Sequence, residues 1–214
     1  MRKIEAVVIH TAAHGNAEKG EQYDTSAEQI DAWHRDRGWN DIGYHWVVRR
    51  SGKIEPGRPE SRVGAHVKGH NARTIGICLS GHGDVGPATP EQWDALVSLV
   101  GKIVREYGLD VFTSVLPHNH FTNAKTCPGK YIDIGALRFA VVAEVGDYAP
   151  VGEWDAQFEF NEEEFRPLDM ELQRFLNQVG ESVTVDGFAG EETSAAVKRC
   201  FGFYLAGDPR RIKS

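Results

Sequence analysis

The chain has 214 residues, 24 Lys and Arg against 31 Asp and Glu, a formal charge of −7, and 41% apolar and 26% charged residues. That length allows one or two domains with a real core, and the acidic balance argues against a nucleic-acid partner. No apolar run reaches the ~18 residues of a membrane span, and three widely spaced cysteines (78, 127 and 200) make no disulfide framework.

The N-terminus, MRKIEAVVIHTAAHG, starts positive but has only a short apolar run, where a secretory leader needs about 7–15 apolar residues. It reads as the first strand, Lys3–His10, of a protein made in the cytoplasm without a signal peptide. Thr25–Arg37 reads as a helix capped by Ser26, with Ile30, Trp33 and Arg37 at helical spacing. Tyr44–Arg50 is a strand that Ser51-Gly52 turns into Lys53–Pro56. Thr74–Leu79 is a continuous apolar run, expected as a central strand, with Cys78 buried inside it as a free thiol. Thr89–Tyr107 is a helix with Thr89 as cap, Pro90 in the first turn and Gly108 beyond its end. Val111–Leu116 reads as a short strand and Ile132–Val142 as a third helix. The class is α/β, a mixed central sheet flanked by helices.

Residues 144–166 hold eight carboxylates and one base, Arg166, so this segment alone sums to −7 and the remainder balances. With Gly146, Pro150, Gly152 and Pro167 around it, it reads as an acidic linker between 1–143 and a small all-α block at 167–214. In that block Pro167–Val179 carries Leu168, Leu172, Phe175, Leu176 and Val179 on one face. Val185-Asp186-Gly187-Phe188 is a turn, and Glu191–Phe201 is a second helix with Cys200, read as another buried thiol, near its end. Fewer than about 50 residues is little for an independent core.

Chemistry concentrates at two patches, Val7-Val8-Ile9-His10-Thr11 and the segment from His118 to Pro128. A catalytic zinc site uses three protein ligands and keeps a fourth position for water. His10 ends a strand, His118 follows one, and Cys127 sits on a loop stiffened by Pro128. Strand ends of one sheet can bring such groups together. His118 competes with His120 for the second imidazole, and His118 is taken. His14, four residues after His10, lies outside a helix and reads as solvated or at the rim. Lys125 would lie beside the metal, where its ammonium could stabilise an oxyanion. Tyr44 and His45 alternate across the sheet, so only one of them can face the metal edge.

On five segments in order, residues 1–143 strongly resemble the zinc-dependent N-acetylmuramoyl-L-alanine amidases of the type 2 amidase family. That family includes phage lysozyme-type amidases and is related in fold to peptidoglycan recognition proteins. The segments are VVIHTAA at 7–13, AWHRDRGW at 32–39, IGYHWVVRRSGKIEPGR at 42–58, VGAHVKGHNARTIGICLSG at 63–81 and HNHFTNAKTCPG at 118–129. The resemblance implies Zn²⁺ on His10, His118 and Cys127, with Tyr44 and Lys125 as catalytic residues. It implies His66 lining the substrate groove, His45 binding substrate with it, Asn71 organising a loop and His34 packed on its helix. The reaction it implies is hydrolysis of the amide between N-acetylmuramic acid and L-alanine, with bacterial peptidoglycan as partner. Tyr44 resembles the phage-type branch more than the wall-recycling branch. LQRFLNQVG at 172–180, VDGFAGEET at 185–193 and AAVKRCF at 195–201 resemble, more weakly, a peptidoglycan-binding helical module.

This pattern fits a monomeric phage or prophage endolysin that reaches the wall, through the host cytoplasm and then the periplasm, once a holin opens the membrane. The alternatives are a non-catalytic peptidoglycan recognition protein, against which Cys127 speaks, and a zinc peptidase cutting within the stem peptide.

Overall fold

The computed structural model describes residues 2–145, 162–163, 167–178, 181–201, 205 and 208–210. The chain divides into two compact units, Met1–Ile134 and Gly135–Ser214. Most of the expected acidic linker (146–161 and 164–166), Val179, and the side chains of Leu168, Phe175 and Cys200 lie outside the described residues.

The first unit is built on β1 (Ala6–Thr11), buried along its whole length. The β-branched run starts the strand later than its first basic residues suggest, because Lys3 and Glu5 stay at the surface as an ion pair. A small ribbon, β2 (Gly15–Asn16) with β3 (Glu21–Gln22), precedes α1 (Ala27–Asp36). Ser26 caps α1 by accepting from the Gln29 amide, as its side-chain chemistry predicts. β4 (Trp46–Val48) and β5 (Ile54–Pro56) form the expected hairpin, and β6 (Thr74–Leu79) follows with the bounds expected from the apolar run. α2 (Pro90–Tyr107) starts on the Thr89 cap and ends on Gly108, and it packs on β1 and β4.

One expected strand is overturned. The β-branched residues of 111–116 suggest a strand, but Val111–Ser114 is a helical turn, α3, and only β7 (Val115–Pro117) is extended. Asp110 decides this: its Oδ1 accepts from both the amide and the hydroxyl of Thr113, which caps a turn more strongly than local propensity favours a strand. The expected strand at Tyr44–Arg50 is also shorter, since Tyr44 and His45 precede β4. α4 (Ile134–Val145) is shifted toward the C-terminus relative to Ile132–Val142, and it buries Leu137 and Val141.

The five-stranded sheet runs β5-β4-β6-β1-β7, parallel except for the β4–β5 hairpin. This is the mixed sheet flanked by helices that the sequence implies. Registered partners share a face. His10 lies opposite Cys78, and Val8 opposite Gly76, so His10, Cys78, Val8 and Gly76 occupy one face. Ile30 of α1 packs there with Val47 and Cys78.

In the second unit the regular elements among the described residues are helices: α4, α5 (Pro167–Gln178) and α6 (Glu191–Phe201). Leu172, Leu176, Val183, Ala196 and Val197 are buried. Gln173 organises the 186–188 turn: its Oε1 accepts from the amides of Asp186 and Gly187, and its Nε2 lies 2.7 Å from Asp186 Oδ1.

Candidate active site

Parallel strands ending at one edge of a sheet deliver side chains to a common place, and here the ends of β1 and β7 do so. His10 sits next to last on β1. His118 opens a 3₁₀ turn directly after β7. Cys127 comes back on the following loop. The donor atoms of His10, His118 and Cys127 all lie within 4.8 Å of one another, with His10 Nδ1 3.8 Å from Cys127 Sγ and the two rings 4.6 Å apart. His120 is exposed and lies against Phe121. His14 is turned toward Thr25, Tyr23 and Trp33.

The loop that carries Cys127 is held by backbone contacts. Thr11 donates to the Pro128 carbonyl at 3.0 Å, and the Asn119 amide to the Cys127 carbonyl at 2.9 Å. Gly83 lies so close to the loop that a Cβ there would fall 1.8 Å from the Pro128 oxygen, so only glycine fits. Asp84 adds bonds to the Thr126 hydroxyl and the Lys130 amide.

Burial sets the protonation states. It pushes the His10 pKa well below the usual imidazole range, helped by His66, His118 and the charge of Lys125. His118 is lowered by burial and then by Lys125. Both imidazoles are therefore neutral and able to donate lone pairs at pH 7. Burial raises the Cys127 thiol, against bonds from Thr11 and the charge of Lys125 that lower it. A metal arriving here displaces that proton. Tetrahedral Zn²⁺, with N at about 2.0–2.1 Å and S at about 2.3 Å, sets its donors about 3.3–3.8 Å apart. The widest pair of this cluster needs to close by at most about 1.5 Å, within reach of side-chain rotation, so the two-nitrogen, one-sulfur set fits the ion.

Tyr44 lies beside the cluster, its ring 5.1 Å from His10 and packed against the buried group that includes Cys78. Burial raises its pKa well above the usual phenol value, followed by Cys78 and Cys127, so it is a neutral hydroxyl. A groove of about 450 Å³ opens next to the cluster, lined by His118, Lys125, His66, Trp39, Lys68 and Phe121 among others. His66 borders it yet is 9% exposed. His45 is 1% exposed and does not line the groove. Its Nδ1 accepts from the Gly76 amide at 2.9 Å, and its Nε2 faces the Arg62 carbonyl at 3.2 Å. His45 thus stands behind His66, away from the opening that a substrate-binding role needs. Asn71 Oδ1 accepts from the amides of His66 and Val67, the loop-organising part expected of it. His34 is buried, takes the Gly43 amide on Nδ1 and stacks on Trp39. No local pattern in the sequence announces the contact between His10 and His66, although an isolated glycine inside a strand, Gly76, is a signal of close approach.

A family model described as N-acetylmuramoyl-L-alanine amidase matches residues 1–130. The chain belongs to this amidase family. Among its relatives, the endolysin of Escherichia phage T7 is 38% identical over 129 residues, covering 58% of this chain and 80% of the relative. The endolysin of Klebsiella phage KP32 is 38% identical over 110 residues, covering 49% and 70%. Among solved structures, the N-acetylmuramoyl-L-alanine amidase LysC from Clostridium intestinale URNW aligns with a TM-score of 0.58 at 29% identity, covering 66% of this chain and 87% of that one. The protein is accordingly an enzyme of the amidase family, a peptidoglycan amidase, and its groove and cluster lie within the matched residues. No helix among the described residues is long and apolar enough to cross a membrane.

Proposed function

We propose that this amidase cleaves the bond between N-acetylmuramic acid and L-alanine with a zinc ion held by His10, His118 and Cys127. The observation that carries the reading is the convergence of two neutral imidazoles and one thiol at the end of a groove that also contains Lys125. Zn²⁺, when bound, supplies Lewis acidity toward a water and toward the scissile carbonyl. Two imidazoles and a thiolate leave such a site at formal +1, which preserves that acidity. Lys125, on the groove wall beside His118, stabilises the oxyanion of the tetrahedral intermediate. Tyr44, a neutral hydroxyl at working pH, hydrogen-bonds the attacking water or the intermediate and assists proton delivery to the leaving amine. His66 and the groove around it take the substrate.

The phage relatives are named endolysins, which supports an endolysin role; in this reading the protein is a monomer, made in the host cytoplasm, that acts on the wall after a holin opens the membrane. In the same reading 1–143 is catalytic, 144–166 a linker and 167–214 a wall-binding module. The test is digestion of purified peptidoglycan with metal content measured in parallel. New L-alanine amino termini with about one zinc per chain are expected. No release would favour a non-catalytic recognition protein, and cuts within the stem would favour a peptidase.

A further inference from the structure

His10 has two ring nitrogens, and only one of them can face the cluster. Its Nδ1 is the atom 3.8 Å from Cys127 Sγ, while its Nε2 points away, 3.1 Å from His66 Nδ1. Hydrogen-bond directions behind His10 can be read from the far end. The His70 carbonyl only accepts, so the Thr74 hydroxyl, 3.0 Å away, donates to it. That leaves a Thr74 lone pair facing His66 Nε2 at 3.4 Å, so His66 carries its proton on Nε2. His66 Nδ1 is then a bare acceptor, and it takes the proton on His10 Nε2. His10 Nδ1 is left with its lone pair toward Cys127 and His118. No step in this chain of directions depends on a metal being bound.

The groups that hold His66 in place point the same way. A Cβ at Gly76 would lie 2.5 Å from His66 Cγ, and one at Gly64 would lie 2.7 Å from His66 Cδ2, so two glycines open a slot the width of the ring. Asn71 Oδ1 fixes the backbone amide of His66 at 2.8 Å. His45 meets the ring edge-on at 5.5 Å and is itself pinned by the Gly76 amide. A side chain that only lined a groove for substrate would need none of this.

We propose that His66 is a positioning residue that, through Thr74 and the His70 carbonyl, fixes His10 in the Nε2–H tautomer and so presents Nδ1 to the metal before the metal arrives. This rests on the zinc reading above for its purpose, but not for its geometry. Outer partners of a ligating histidine typically change metal affinity by about 10–100-fold when removed.

The test uses the full chain, stripped of metal. Long-range proton–nitrogen correlation spectra report which ring nitrogen of His10 bears the proton, and a chromophoric chelator in competition reports Zn²⁺ affinity. The wild type is expected as the Nε2–H tautomer. His66→Leu should mix the tautomers and weaken Zn²⁺ binding about 10–100-fold. His66→Asn, whose carbonyl can still accept from His10, should restore most of the affinity. Thr74→Val keeps the branched shape but removes the hydroxyl facing His66, and it should also relax the tautomer, with folding checked by circular dichroism. Wild-type tautomer and affinity in both His66→Leu and Thr74→Val would overturn the proposal. So would a failure of His66→Asn to recover more affinity than His66→Leu. Failure of the zinc reading looks different: Cys127→Ser would bind Zn²⁺ as tightly as wild type while the His10 tautomer in the metal-free protein stayed fixed.

Discussion

Gly76→Ala is a one-carbon change whose cost can be worked from the geometry. The new Cβ would stand 2.5 Å from His66 Cγ and 2.7 Å from Nδ1. Carbon–carbon contacts settle at about 3.5–4.0 Å, so the ring must retreat by about 1 Å. A retreat of that size, with Gly64 also close to the ring, is expected to lengthen the 3.1 Å contact to His10 beyond hydrogen-bond range. Overpacking of this kind costs about 1–3 kcal/mol, and stranding a buried donor adds about 1–3 kcal/mol. The reduced freedom of the unfolded chain returns about 0.4–1 kcal/mol, which leaves a net loss within about 1–5.5 kcal/mol, centred near 3 kcal/mol. Urea unfolding of the metal-free protein, followed by tryptophan fluorescence, should show this as a midpoint shift of about 1–2 M with an unchanged slope. Repeating Gly76→Ala in a His66→Ala background removes the obstructing ring, and the cost should then fall below about 1 kcal/mol. Equal costs in the two backgrounds, or a single variant within about 0.5 kcal/mol of wild type, would mean that the slot does not constrain His66.

Other substitutions separate the parts of the site. Cys127→Ser should abolish both zinc retention and amide hydrolysis, measured by metal analysis and by release of L-alanine amino termini; full activity would remove Cys127 from the ligand set. Lys125→Ala should keep the metal and lower kcat by about 10²–10³-fold; unchanged turnover would make it a bystander. The buried His45 has its pKa lowered from 6.5 to about 4 by burial. Its unfolded form takes up a proton first, so stability is full above about pH 6.5, falls as pH drops toward 4 and levels off below that. The loss from this residue is about 3 kcal/mol, and His45→Gln should flatten the slope in metal-free urea titrations. A slope identical to wild type would show that His45 is not buried as a neutral ring.

The parts of the fold legible in the sequence were those set by pattern and capping. Ser26, Thr89 and Gly108 marked helix ends because their local chemistry acts within a few residues. The buried run at 74–79 could hardly be anything but a central strand. At 111–114 the β-branched content suggests a strand, and a single capping aspartate outweighs it. Within the site, His10, His118 and Cys127 could be picked out because metal chemistry needs those residue types at strand ends. What stayed hidden depended on register. Whether His45 or His66 meets His10 follows from Gly76 standing opposite Val8 in β6 and β1, a pairing of residues nearly seventy positions apart that no local pattern encodes.

The backbone crossing of Gly83 beneath Pro128 divides the loop after β7 into two parts with different freedoms. From Thr126 to Tyr131 the main chain is clasped by Gly83, Asp84 and Thr11, so inserting or deleting a residue there would drag the sulfur donor with it. From Asn119 to Ala124, short of Lys125, most side chains face solvent and the turn closes on itself. Substitutions in that exposed stretch are therefore separated by one backbone crossing from the sulfur donor, whose place the clasp keeps.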